Sequence, residues 1–108
     1  WFGFEARKVD IDTDTAIFLI PLFGHTLGHC GVAIKTEKGW LFYIADAYYM
    51  RIELTNSEHP VNQLAKMRAE DNDLRLSTLD KIRSLINEHP EIEVFGYHDI
   101  EEFNFYKN

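Results

Sequence analysis

The chain has 108 residues, of which 45% are hydrophobic and 14% aromatic, a composition that predicts one folded domain over residues 1–108 and excludes a disordered protein. Eighteen acidic against eleven basic residues give a net charge of −7, and because such a surface repels phosphate backbones, we expect no nucleic-acid partner. The single cysteine, Cys30, excludes an intrachain disulfide and a cysteine-rich zinc site.

The longest apolar run, residues 16–23, is interrupted by Pro21 and is too short to cross a bilayer, so we expect a soluble protein with no membrane partner. No signal-peptide pattern is visible, which favours a cytoplasmic location. The chain opens on Trp1 instead of a methionine, and we therefore expect an incomplete N-terminus and leave the compartment open.

The first half of the chain predicts a sheet. Apolar residues alternate over residues 2–10, and a polar turn follows at 12–14. The aliphatic run at 15–22 predicts a buried strand. Two further strands, at 30–36 and 40–45, are expected to pair through a hairpin turn at Glu37-Lys38-Gly39.

The second half predicts two helices and a strand. A helix is expected to begin near Pro60, and Asp71-Asn72-Asp73 offers an N-cap for the next. The second helix is expected to end at Glu88–Glu91, and a strand follows at 92–97. Its apolar stripe is ordinary core and consists of Leu76, Leu79, Ile82 and Ile86, with Leu85 beside it. The predicted order is β-β-β-β-α-α-β, an α/β (α+β) fold.

Three potential metal ligands follow predicted strands: His25, Asp46 and His98. Polar residues gathered at strand ends commonly form a site along that edge of a sheet, and two imidazoles with a carboxylate suit zinc, iron or manganese. Each residue also has a structural explanation, as a hydrogen-bonded loop histidine, a turn aspartate or a satisfied imidazole. Spacing alone leaves both interpretations open.

The remaining histidines and the cysteine favour structural roles. His29 lies four residues after His25, but a glycine-containing loop need not direct both rings at one metal. His59 and His89 each precede a proline at a helix boundary and are expected to be solvated, and Cys30 is expected in the core. No phosphate-binding glycine loop or Gly-x-Ser-x-Gly segment is present.

Three segments carry a family resemblance. Residues 19–29, Leu-Ile-Pro-Leu-Phe-Gly-His-Thr-Leu-Gly-His, resemble the Gly-His-Thr-x-Gly-His segment of the metallo-β-lactamase superfamily. Residues 43–47, Tyr-Ile-Ala-Asp-Ala, are similar to its strand ending in Gly-Asp-Ala or Gly-Asp-Thr, and residues 95–99, Phe-Gly-Tyr-His-Asp, resemble its final histidine. The segments occur in the family's order, with two predicted helices between the second and the third.

The resemblance implies a two-metal site holding zinc, or iron or manganese. His25 would bind one metal, Asp46 would bridge both, and His98 would complete the second. His29 and Asp99 would support these ligands without binding metal themselves. The implied reaction is attack of metal-bound hydroxide on a lactam, lactone, thioester or similar bond of a small-molecule substrate. The acidic surface disfavours the RNA-processing members of the family.

The chain departs from the family pattern in three ways. Leu27 stands where proline is common, and Ala45 stands where glycine is common. The His-x-His-x-Asp-His motif, which supplies four ligands earlier in the family's chain, is absent, and no histidine precedes His25. The resemblance therefore covers only the C-terminal half of an αββα sandwich, and with so few protein ligands we expect this chain to be inactive without an N-terminal half.

The expected partner is that N-terminal half or a second copy of the chain. Because half a sandwich exposes an apolar face, a non-enzymatic fragment stabilised by homodimerisation is the alternative to a hydrolase half. A standalone domain that matches the family by chance is the third hypothesis.

Overall fold

The computed structural model describes residues 1–11 and 14–107; most of the predicted turn at 12–14 lies outside the described residues. The five strands are β1 (Arg7–Lys8), β2 (Ile17–Pro21), β3 (Cys30–Thr36), β4 (Gly39–Tyr43) and β5 (Glu93–Phe95). The helices are a 3₁₀ turn (Arg51–Leu54), α1 (Val61–Arg68), α2 (Asn72–Glu88) and α3 (Ile100–Tyr106). The predicted mixed fold, with four strands before the two longer helices and a fifth after them, is confirmed.

The strands form one sheet in the order β1-β2-β3-β4-β5. Neighbours are antiparallel except for β4 and β5, which are parallel. As a result β2, β4 and β5 run in the same direction, and their carboxyl ends meet at one edge of the sheet. This edge carries the segments that contain the three predicted ligands.

One face of the sheet is the core of the molecule. Successive side chains on a strand alternate between faces, and the register places Phe18, Ala33, Phe42 and Val94 in one row. The α2 helix contributes Leu79, Ile82 and Leu85, each no more than 2% exposed, to the same core cluster. Within residues 1–11 and 14–107, the side chains on the other face are not buried.

We call this second surface the open face; it consists of Ile17, Leu19, Val32, Ile34, Leu41, Tyr43 and Phe95. The register aligns them in two rows across β2, β3, β4 and β5. None of the seven is buried, and Leu19 is 41% exposed. A contiguous apolar sheet face of this kind typically marks a binding surface.

The N-terminal segment differs from the strand predicted over residues 2–10. Arg7–Lys8 pairs with β2, and the Val9 N–H donates to the Ile17 carbonyl at 2.8 Å. Before them the chain turns, with Phe4 N–H donating to the Trp1 carbonyl at 2.8 Å, and the rings of Trp1 and Phe4 pack on Phe42. Aromatic packing on the core therefore overrides the alternating pattern.

The second helix and the C-terminus also differ in detail from the sequence prediction. In α2, Leu85 is buried where Ile86 was predicted, and Leu76 is 46% exposed while Arg75 is buried. The buried stripe is therefore shifted by one residue at each end. Helix α3 was not predicted, although Asp99 accepts hydrogen bonds from the Glu101 and Glu102 N–H groups as its N-cap. Within the described part of the chain, every helix falls short of the length and apolarity needed to span a bilayer.

Strand β4 ends two residues before the predicted end because Ala45 has a φ of 51°. This left-handed conformation costs an L-residue about 1–2 kcal/mol and is easily reached by glycine, the residue that the family resemblance expects here. The turn at Ala45 redirects the chain and brings Asp46 to the edge of the sheet.

We therefore expect Ala45→Gly to raise the free energy of unfolding by about 0.5 kcal/mol, since relief of the left-handed conformation exceeds the added entropy of the unfolded chain. Ala47→Gly is the matched control. Ala47 is 3% exposed and lacks a positive φ, so the same change should destabilise the protein by about 1 kcal/mol. Urea unfolding of the two variants checks both values, and equal destabilisation would contradict the explanation.

Candidate metal centre

The structure brings the three predicted ligands together at the shared edge of β2, β4 and β5. The His98 Nε2 lies 2.9 Å from Asp46 Oδ1, and the His25 Nε2 lies 3.7 Å from Asp46 Oδ2. Each imidazole thus faces a different oxygen of one carboxylate. The three side chains come from positions 25, 46 and 98, so only the folded chain can place them in contact.

The spacing of these atoms suits metal ligands. Two atoms bound to one tetrahedral metal lie about 3.4 Å apart, given metal–ligand bonds of about 2.1 Å. Among the described residues the buried Oδ1 of Asp46 has no hydrogen-bond partner, and the His98 Nε2, 2.9 Å away, does not hydrogen-bond to it. An unpaired buried carboxylate oxygen is costly, and a cation would satisfy it.

The set is nevertheless incomplete for a metal. Across residues 1–11 and 14–107, no group of three or more His, Cys, Asp or Glu side chains is arranged so that it could hold a metal ion. The side chains of His25, Asp46 and His98 meet, but by themselves they do not form a metal site. The ligand roles implied by the resemblance remain predictions.

The loop that carries His25 is fixed against α2. Gly24 has a φ of 133°, and a Cβ there would lie 2.2 Å from the backbone nitrogen of Arg75. The Gly24 and His25 carbonyls accept from the N–H groups of Asp71 and Glu70 at 3.0 and 3.1 Å. Glycine is required at position 24 because the loop and the first turn of α2 are in direct contact.

His29 binds backbone with both ring nitrogens. Its Nδ1 lies 2.8 Å from the Leu22 carbonyl, and its Nε2 accepts from the Asp46 N–H at 3.0 Å. This pair of bonds requires the tautomer protonated on Nδ1. Burial lowers the pKa of His29, and His25 acts in the same direction, against the raising effects of the Leu22 carbonyl and Asp46. His29 therefore positions the backbone of Asp46 and has no free nitrogen for a metal.

Asp99, also predicted to support the ligands, is committed to backbone groups. Its Oδ1 caps α3, and its Oδ2 accepts from the Arg51 N–H at 2.8 Å. Asp99 thus fixes the segment that follows His98 and holds the 3₁₀ turn next to it.

Tyr49 lies between the two candidate imidazoles. Its ring centroid is 5.9 Å from that of His25 and 5.3 Å from that of His98. The Glu53 carboxylate holds this segment by accepting from the Tyr49 and Met50 N–H groups, at 2.6 and 2.9 Å. Tyr49 therefore lies beside both candidate ligands.

Glu53 forms a buried ion pair with Arg75 of α2 that was not foreseen from the sequence. The Arg75 Nη1 lies 3.3 Å from Glu53 Oε1, and the two side chains are 5% and 0% exposed. Burial raises the pKa of Glu53, while the backbone donors and Arg75 oppose that rise. Because Arg75 also underlies Gly24, the pair joins the loops of His25 and Tyr49.

A cleft of about 670 Å³ opens in front of these residues. Its lining combines the polar groups His25, Asp46, His98, Tyr49 and Arg68 with the apolar side chains Met50, Val61 and Leu64. Clefts of mainly apolar character with a few converging polar groups are typical of small-molecule sites.

His59 and His89 lie at helix boundaries as expected, but they are half-buried and not simply solvated. The His59 Nδ1 accepts from the Val61 N–H at the start of α1, and His89 contacts Glu91 at the end of α2. Cys30 is only half-buried in β3, so its predicted place in the core is wrong.

His29→Ala should lower the free energy of unfolding by about 2 kcal/mol, because the Asp46 N–H and the Leu22 carbonyl would both lose their partner. His25→Ala is the matched control and should change it by no more than about 0.5 kcal/mol, since its ring is 3.7 Å from Asp46 and otherwise meets the Tyr49 and His29 rings edge-on. Chemical denaturation measures both. Equal losses would show that His25 is also a structural histidine.

Comparison with known proteins gives relatives of part of the chain. No family model matches the sequence. A stretch of 51 residues, 47% of this chain, is 37% identical to proteins named "probable metallo-hydrolase" in Mycobacterium bovis and in Mycobacterium tuberculosis. The matched stretch spans only 16% of the length of these curated relatives.

Solved structures extend the likeness over most of the fold. An N-acyl homoserine lactone hydrolase with N-hexanoyl-L-homoserine at its catalytic metal centre matches 91% of this chain and 36% of its own, at 23% identity and a TM-score of 0.67. A quorum-quenching N-acyl homoserine lactone lactonase matches 80% of this chain and 33% of its own, at 28% identity and a TM-score of 0.62. The curated metallo-hydrolases and the lactonase structures together confirm the resemblance to the metallo-β-lactamase superfamily, and the chain has the fold of one half of that family's αββα sandwich.

Proposed function

We propose that this chain supplies one side of the active site of a metal-dependent hydrolase that acts on a small-molecule lactone or a related carbonyl bond. The observation that carries the proposal is the position of Asp46, whose two carboxylate oxygens each face one imidazole. The metallo-hydrolase and lactonase relatives support the same class of reaction.

The arrangement divides the ligands between two metal positions. His25 with one oxygen of Asp46 would hold the first, and His98 with the other oxygen would hold the second. Zinc, iron and manganese all suit imidazole with carboxylate. A bound divalent cation supplies acidification of a water molecule and polarisation of a carbonyl.

The residues around the ligands act by positioning. His29 fixes the backbone of Asp46, and Tyr49 packs between the two imidazoles. The apolar side of the cleft, with Met50, Val61 and Leu64, provides a wall for the hydrocarbon part of a substrate and limits water beside the carbonyl. We therefore expect a substrate with an apolar portion next to the bond that is cleaved.

Three ligands shared between two metals hold each of them weakly, so further ligands must come from outside the described residues. The open face is the surface on which they can be delivered, because it is apolar, is not buried and belongs to the same sheet as the ligand edge. We propose that its occupant is a sheet bearing the family's His-x-His-x-Asp-His motif. The solved neighbours, which are almost three times as long as the stretch they share with this chain, support that choice.

The metal assignment is tested by equilibrium dialysis of the purified chain against zinc. Zinc binding should be weakened by more than about tenfold in each of His25→Ala, Asp46→Asn and His98→Ala. Removing a ligand lowers metal affinity more than removing a group that orients it. His89→Ala is the control, because its ring contacts Glu91 at the far end of α2. If all four variants bound zinc as the natural chain does, the ligand assignment would be wrong.

The role of the open face is tested by joining or mixing the chain with the motif-bearing segment of a related metallo-hydrolase. We expect a one-to-one complex with tighter zinc binding and lactone hydrolysis, both lost with Asp46→Asn. Leu19→Lys should prevent assembly, because a charge would be buried on the apolar face. Lys8→Leu, at an exposed site in the edge strand, is the control for surface changes.

Sedimentation distinguishes the two candidate occupants of the open face, the motif-bearing segment and a second copy of the chain. If the chain formed a stable homodimer that Leu19→Lys dissociated, and that homodimer neither exchanged with the added segment nor bound zinc, the non-enzymatic alternative would replace the hydrolase proposal. A chain that remains monomeric alone but combines with the segment supports the proposed occupant.

A further inference from the structure

A buried carboxylate on α3 connects the two segments that carry Asp46 and His98. Glu102 is 8% exposed, and its Oε1 accepts from the Gly96 N–H at 2.9 Å. Its Oε2 accepts from the Tyr48 hydroxyl at 2.6 Å and from the Arg51 Nη1 at 3.0 Å. Three donors on one buried carboxylate make a short, charge-assisted and rigid network.

The positions of these donors relate the network to the candidate metal centre. Tyr48 lies two residues after Asp46, and Gly96 lies two residues before His98. Glu102 therefore contacts the Asp46 segment with one oxygen and the His98 segment with the other. It touches neither ligand itself.

The backbone hydrogen bonds between the two segments stop short of the ligands. The Ile44 N–H donates to the Phe95 carbonyl at 2.9 Å, and the Tyr97 N–H donates to the Ala45 carbonyl at 3.1 Å. Between these two bonds, a Cβ at Gly96 would lie 2.9 Å from the Tyr48 ring, so the two segments are in close contact. The Glu102 network continues the connection past the end of the sheet.

We propose that Glu102 is a positioning residue that sets the separation of His98 from Asp46 through Gly96 and Tyr48. The consequence for metal binding rests on the proposed function, because Asp46 and His98 must lie a fixed distance apart to share metals. Its geometric part, the control of the His98 position, does not require a metal to be bound.

The test compares Glu102→Gln with Glu101→Gln, a matched change at the exposed neighbouring position on the same helix. In the metal-free protein, Glu102→Gln should shift the imidazole ¹H–¹³C signals of His98 but not those of His25, whose loop is held by α2. Zinc binding should weaken by about tenfold, as for other groups that orient metal ligands. Glu101→Gln should change neither.

Tyr48→Phe provides a second, milder variant that removes only the hydroxyl donor, in case Glu102→Gln does not fold. Unchanged His98 signals in a folded variant would overturn the inference, even with a lower melting temperature, because Glu102 would then be merely structural. If the natural chain bound no zinc while the His98 signals still moved, the proposed function would fail and the positioning role would stand.

Discussion

The arrangement at Asp46 depends on one constraint, the common direction of β2, β4 and β5. Because these strands end at the same edge, residues from three distant parts of the chain meet there, and each oxygen of Asp46 faces one imidazole. Much of the buried polar structure supports this meeting. His29 holds the Asp46 backbone, Glu53 and Arg75 join the adjoining loops, and Glu102 links the segments of Asp46 and His98.

The same sheet also explains why the site is one-sided. One face is covered by α2 and the N-terminal aromatic rings, which gives the chain a core of its own. The open face is also apolar, but it is not buried within the described residues. Burying it would therefore add hydrophobic stabilisation. We propose that one partner both covers this face and completes the ligand set.

Sequence patterns predicted the strands, α1, α2 and the three site segments, because hydrophobic periodicity and strand-end polar residues are local signals. They did not predict the buried pairs of Glu53 with Arg75 and of Glu102 with Tyr48, whose members lie 22 and 54 residues apart. Helix α3 could have been found from Asp99 followed by Glu101 and Glu102, an N-cap with an acidic first turn. The Ala45 turn was suggested only by the family's glycine at that place.

The most direct test of the metal centre is a zinc titration of the natural chain followed by the imidazole ¹H–¹³C signals of its five histidines. If His25 and His98 bind zinc, their signals change together, while those of His59 and His89 stay fixed. His29 should keep its Nδ1-protonated form throughout, because both of its nitrogens bind backbone. Changes at His59 or His89 without changes at His25 and His98 would contradict the account.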